Sequence, residues 1–98
     1  MDRQQLTALS EAFIRSLLQK RLPPGTPVYL YGSRARQDQR WNSDYDLWID
    51  GDPPVSVLAE IDELLEESFV PFRVDIVTSS RLRGRFGDQV RKDSMRWM

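Results

Sequence analysis

Asp44 and Asp46 stand one residue apart at the head of an apolar run, with Tyr45, Leu47 and Ile49 interleaved. In an extended strand successive side chains alternate faces, so the two carboxylates point one way and the three apolar side chains the other. Two aspartates on such a floor are a donor set for a hard divalent cation. Mg²⁺ takes oxygen ligands, keeps several waters, and is held by one or two carboxylates together with substrate phosphates. Upstream, Gly32 lets the backbone approach a phosphate closely, and Ser33 offers a hydroxyl and the free N–H groups of a starting helix. Arg34 and Arg36 follow, and a forked guanidinium suits phosphate oxygens. Side chains two apart on a helix diverge, so Arg34 is the expected phosphate contact, while Arg36 is open between phosphate and a surface ion pair. Asp-x-Asp alone also fits a capped turn with a surface carboxylate. The added weight comes from Gly32-Ser33 and from Asp75, placed between Val74 and Ile76 where an uncompensated charge is costly. Carboxylates gathered on one face repel each other, and a cation is the natural compensation.

Gly32-Ser33, ten intervening residues, and Asp44-Tyr45-Asp46 resemble the Gly-Ser-x10-Asp-x-Asp signature of the minimal nucleotidyltransferases, a branch of the DNA polymerase beta-like superfamily. GSRAR and SDYDL read like its common forms, and Asp75 within Phe72 to Val77 stands where the family carries a third carboxylate on a later strand. Gln37 departs from the pattern, since a glycine often follows the second arginine.

The resemblance implies an α/β (α+β) nucleotidyltransferase fold, a small mixed sheet of three or more strands flanked by helices. It implies transfer of a nucleoside monophosphate from an NTP, ATP first among them, to a hydroxyl acceptor. Asp44, Asp46 and Asp75 would hold two Mg²⁺ ions, with Asp75 doubling as general base. Gly32 and Ser33 would hold the β- and γ-phosphates, and Arg34 would stabilise charge developing on the triphosphate. A partner is implied as well. Such domains are similar to the antitoxin half of HEPN/MNT toxin–antitoxin pairs, in which the nucleotidyltransferase adenylylates a tyrosine of a HEPN toxin encoded next door. A noncatalytic module that masks its partner, an enzyme acting on a small hydroxylated molecule, and a homo-oligomer remain open alternatives.

The elements that must position these residues follow from periodicity. Leu6, Leu9, Phe13 and Leu17, with Ile14 and Leu18 alongside, predict an amphipathic helix from about Asp2 to Leu22, ended by Pro23-Pro24-Gly25. Val28 to Tyr31 is a first strand that delivers the chain to Gly32, Ser33 to Arg36 a short helical turn, and Asp44 to Ile49 a second strand. Gly51-Asp52-Pro53-Pro54 turns into the next helix, with Asp52 its N-cap and Pro53 its first residue. Val57, Leu58, Ile61, Leu64 and Leu65 form its buried stripe, and Glu60, Glu63, Glu66 and Glu67 its solvated face. Phe72 to Val77 is the third strand, so Asp75 joins the site if that strand lies beside the second. Phe86 and Val90 predict a last helix, weakened by Gly84 and Gly87. Met95-Arg96-Trp97-Met98 is apolar for a terminus, and fold-back onto the core is expected ahead of edge pairing or partner docking. Trp41 is expected to cover the edge of the core, with stacking on a base as the alternative.

Composition bounds the rest. Ninety-eight residues are expected to form one domain, residues 1–98, without an attached recognition domain. Neither cysteine nor histidine is present, so thiolate metal sites, Ser-His-Asp triads and histidine bases are excluded and carboxylates remain as bases near neutral pH. A net charge of −1 argues against bulk nucleic-acid binding, although six basic residues follow from Arg81 onward against Asp88 and Asp93. The polar N-terminus and the lack of an apolar run near the ~20 residues of a membrane span predict a cytoplasmic protein with no membrane partner.

Overall fold

The computed structural model describes residues 1–98. The chain builds two compact units, each from two segments: Met1–Pro24 with Pro53–Pro71, and Gly25–Asp52 with Phe72–Met98.

The first unit is helical. Helix α1, Arg3–Arg21, begins in a capping box: the Asp2 carboxylate accepts from the Gln5 backbone N–H at 2.8 Å, and the Gln5 side chain accepts from Asp2 N–H at 3.1 Å. It stops at Leu22, which is extended ahead of Pro23. Ile14, Leu17 and Leu18 are buried on α1, as are Ile61 and Leu65 on helix α3, Val55–Glu66. Arg21 and Glu60 form an ion pair at 2.7 Å, and the Phe13 and Phe69 rings meet edge to face at 5.5 Å. Glu60, Glu63, Glu66 and Glu67 are exposed, as a solvated face requires. Helix α3 starts later than its proline signals suggest. Pro54, not Asp52, is the N-cap, and Asp52 instead accepts a hydrogen bond from the Ser80 backbone N–H at 3.0 Å.

The second unit is a four-stranded mixed sheet in the order β3-β2-β1-β4, from β1, Val28–Tyr31, β2, Tyr45–Ile49, β3, Val74–Thr78, and β4, Met95–Arg96. Strands β1 and β2 are antiparallel with Val28 opposite Ile49 and Leu30 opposite Leu47. Strands β2 and β3 are parallel, with Leu47 beside Ile76. One sheet face therefore carries Val28, Leu30, Tyr45, Leu47 and Ile49, all buried, and the strict alternation along β2 is the period-2 pattern of its sequence. At the C-terminus edge pairing forms rather than simple fold-back. Met95 lies opposite Leu30, and Val28 N–H donates to Met98 O at 3.0 Å. Trp97 alone turns its ring toward the core, 6.0 Å from that of Tyr45.

Helix α4, Gly84–Asp93, follows a 3₁₀ turn at Ser79–Arg81. Its glycines lower helix propensity, yet Gly87 has a packing reason. A Cβ there would come within 2.5 Å of the Leu82 carbonyl carbon and 2.7 Å of its oxygen, so the helix sits against the preceding backbone only because the side chain is missing. Gly87→Ala gains up to about 1 kcal/mol in helix propensity and meets an overpacking cost of about 1–3 kcal/mol. A lower thermal unfolding midpoint than wild type is expected; an unchanged or higher midpoint would show that the corner can yield.

Candidate active site

The floor of the site comes from strand register. On the face opposite the buried one, Tyr31 of β1, Asp46 of β2 and Asp75 of β3 lie abreast, because Tyr31 pairs with Asp46 and Asp46 with Asp75. Tyr29, Trp48 and Val77 continue the same face, and the Tyr29 and Trp48 rings stack at 4.7 Å. Asp44 stands just ahead of β2 and is exposed, whereas Asp46 and Asp75 are half-buried.

At the end of β1 the chain turns through Gly32, whose φ of 73° and ψ of −155° belong to glycine. A Cβ added there would overlap Asp46 Oδ2 and lie 3.2 Å from its Cγ. The Gly-Ser turn and the second aspartate thus touch, and a bare α-carbon is what lets them. Ala35 and Arg36 N–H both donate to Gly32 O at 3.1 Å, opening the four-residue helix α2, Ser33–Arg36. That helix ends on Gln37, which itself takes the left-handed conformation, φ 63°, ψ 30°. Gln37 thus takes, at modest cost, a backbone conformation that glycine adopts freely.

Electrostatics bind the aspartates into one system. The Asp46 carboxyl is raised above the ordinary carboxylate value by burial first, then by Asp75, then by Asp44. The Tyr31 hydroxyl is pushed up to about 12 by burial, Asp46 and Asp75, against an opposing pull from Arg81, so it remains a neutral donor facing the acids. The three carboxylates nevertheless do not close on one point as a ligand cluster. Asp75 Oδ1 is turned to accept from Arg73 Nε at 3.2 Å. This donor set suits a divalent cation: all-oxygen, mutually repelling, and partly desolvated.

The two arginines of the turn separate. Arg36 takes the ion-pair option, at 3.2 Å from Asp38 and 3.1 Å from Asp93. Arg34 is only 8% exposed, donates to the carbonyls of Ser43 and Trp41, and lies over the Tyr45 ring, so its fork is occupied away from the Gly32 turn. The Trp41 ring stands edge-on to Phe72 at 5.9 Å, in keeping with a covering role. Tyr31 is the site-face residue that sequence reasoning passed over; the available signal was its place immediately before Gly32.

Carboxylates lie abreast on adjacent strands, and one of them, Asp46, packs against a Gly-Ser turn that opens a helix, a donor set suited to a cation and a phosphate. The chain belongs to the polymerase beta nucleotidyltransferase family, whose pattern matches residues 14–96, and it is a nucleotidyltransferase of the minimal branch. It is 34% identical over 92 residues to the probable protein adenylyltransferase MntA of Haemophilus influenzae (strain ATCC 51907 / DSM 11121 / KW20 / Rd), covering 90% of this chain and 80% of that protein. A solved minimal nucleotidyltransferase superposes with a TM-score of 0.66 at 32% identity, covering 97% of this chain and 95% of the other. A chain of a toxin–antitoxin structure with AMP-PNP superposes with a TM-score of 0.67 at 26% identity, covering 89% and 72%. No helix is long and apolar enough to cross a membrane.

The raised Asp46 has a measurable consequence. Because its folded value lies above the unfolded one, ionisation costs more in the fold than in the open chain. The fold is free of this penalty below the ordinary carboxylate value and bears it fully once pH has risen through the raised one. Asp46→Asn is therefore expected to raise the thermal midpoint of the ligand-free protein at neutral pH, with the gain vanishing in acid. A variant no more stable than wild type at pH 7 would contradict the repulsion described above.

Proposed function

We propose that this chain is an Mg²⁺-dependent adenylyltransferase that moves AMP from ATP to a tyrosine hydroxyl of a HEPN-type toxin encoded beside it, and so acts as that toxin's antitoxin. The observation that carries the proposal is the β1-β2-β3 register, with Asp46 and Asp75 abreast and Asp46 against the Gly32 turn. Support for the acceptor class and for ATP comes from similarity to a protein named as a protein adenylyltransferase and to a toxin–antitoxin solved with AMP-PNP.

Residues 1–98 work here as one catalytic domain. Asp44, Asp46 and Asp75 would hold Mg²⁺, two ions in the full site, which would supply charge neutralisation at the triphosphate and a lowered pKa at the acceptor hydroxyl. The Gly32 turn admits the β- and γ-phosphates close to the backbone, and the Ser33 hydroxyl and the N–H groups that open α2 donate to them. Asp75 takes the proton of the acceptor hydroxyl as general base. The acceptor oxygen bonds to the α-phosphorus while the bond from that phosphorus to pyrophosphate breaks. Arg73 donates to the Asp75 carboxylate and steadies it weakly.

Asp75→Asn keeps the shape of the site and removes the base. With ATP, Mg²⁺ and the neighbouring HEPN-type protein, wild type is expected to add AMP to that protein by intact mass, and Asp75→Asn to do so about 10²–10⁴ times more slowly while still binding ATP. Equal rates for the two proteins would remove Asp75 from the mechanism. Intact partner binding with no AMP added by wild type would favour a masking module instead.

A further inference from the structure

Of the charged side chains only Arg34 is buried. Its partners are neutral. Arg34 Nε and Nη2 donate to Ser43 O at 3.1 and 2.9 Å, and Nη2 also to Trp41 O at 2.9 Å. Arg34 Cζ lies 3.9 Å from the centroid of the Tyr45 ring and 5.1 Å from that of Phe72. Carbonyl oxygens and ring faces thus replace the water that a buried guanidinium loses, a task for a planar fork and not for an ammonium. Sheet alternation adds a decisive constraint. Tyr45 points to the face opposite Asp46, so Arg34, lying on the Tyr45 ring, is on the far side of β2 from the aligned carboxylates.

We infer that Arg34 is a positioning residue for Asp44 rather than a phosphate ligand. The carbonyl it grips with two donors belongs to Ser43, so Arg34 fixes the peptide plane that leads directly into Asp44. On the other side the Tyr45 N–H donates to Arg73 O at 2.9 Å. Asp44, exposed and without a strand partner of its own, is held between two anchored peptides. Within the loop, Arg40 N–H donates to Ser43 Oγ at 2.9 Å and Ser43 N–H to Arg40 O at 3.1 Å, so the clamp seizes an already folded turn. To reach a phosphate, the guanidinium would have to give up three hydrogen bonds and its ring contacts.

The inference rests on the proposed cation role of Asp44, and its test separates the two. MgATP and Mg²⁺-free ATP are titrated by calorimetry into wild type, Arg34→Lys, Asp44→Asn and the double variant, with backbone amide exchange followed over residues 38–44. Arg34→Lys is expected to weaken MgATP about tenfold, as loss of an outer support to a metal ligand does, and to move Mg²⁺-free ATP less than about twofold. Exchange over 38–44 should quicken, and the substitution should add nothing further in the Asp44→Asn background. Equal weakening with and without Mg²⁺, or full additivity with Asp44→Asn, would place Arg34 on the phosphates and overturn the inference. Asp44→Asn indistinguishable from wild type in both titrations would instead sink the cation role, leaving exchange over 38–44 to decide the clamp. If Arg34→Lys does not fold, Ser43→Gly loosens the gripped peptide without touching the buried guanidinium. The same pattern at smaller amplitude is then expected, and unchanged MgATP affinity with unchanged exchange would overturn the inference.

Discussion

The sheet carries an electrostatic strain by construction. Parallel pairing of β2 with β3 puts Asp46 beside Asp75, and Asp44 lies near enough to add to the charge felt at Asp46. Partial burial of Asp46 removes water that would screen it, so that carboxylate is disfavoured when ionised beside the other two, against a weaker pull from Arg36 and Arg73. Other features of the site follow from this. Gly32 yields room for the Asp46 carboxylate. Tyr31 keeps its proton and presents a neutral dipole instead of a third anion along the row. In a chain with no histidine, no cysteine and a net charge of −1, these concentrated carboxylates favour a cation where the overall charge supplies no basic field.

Period-2 alternation divides the labour on β2 between two sheet faces. Asp46 and Trp48 go to the site face; Tyr45, Leu47 and Ile49 go to the core. Tyr45 does more than fill space, since its ring meets Phe72 at 5.4 Å and Trp97 at 6.0 Å and supports the Arg34 guanidinium. One strand therefore exposes a carboxylate on one side and, one residue earlier, builds on the other side the support for the loop that carries Asp44. A slip of one residue in the pairing of β2 would exchange these roles and bury Asp46. Register is thus the quantity on which both fold and site turn.

Much of this was legible in the sequence because it was local. The 3.6-residue stripe of α1, the alternation of β2, the Gly-Ser turn and the Asp-x-Asp pair are patterns within a short window, and each element formed where its pattern lay. What escaped depended on partners far along the chain. Tyr31 is on the site because β1 pairs with β2 in one particular register, which no local pattern specifies. Arg36 found Asp93 across 57 residues. Asp52 looked like a helix cap by type and position, but Ser80 supplied a competing backbone N–H, and α3 began at Val55 instead. The terminal tetrapeptide read as apolar surface needing cover. That need was met by hydrogen bonding at the β1 edge, where pairing satisfies backbone groups as well as side chains. Arg34 divides the two levels most clearly, because its neighbours in sequence imply phosphate while its neighbours in space are two carbonyls and two rings.

The Arg73–Asp75 pair shows how charge on this face is met within one strand. Asp75 cannot relax its repulsion with Asp46 by moving, since the β2–β3 ladder fixes both backbones. It turns one oxygen to Arg73, two residues back on its own strand. The pair is open to water, with side chains 73% and 41% exposed, so its worth lies in the range of about 0–1 kcal/mol. An interaction that weak steadies the carboxylate but does not commit it, so in the mechanism proposed above a divalent ion would compete for the same oxygens at little cost. The contrast with Arg34, buried and committed to the loop, marks which basic side chain frames this site and which one can give way within it.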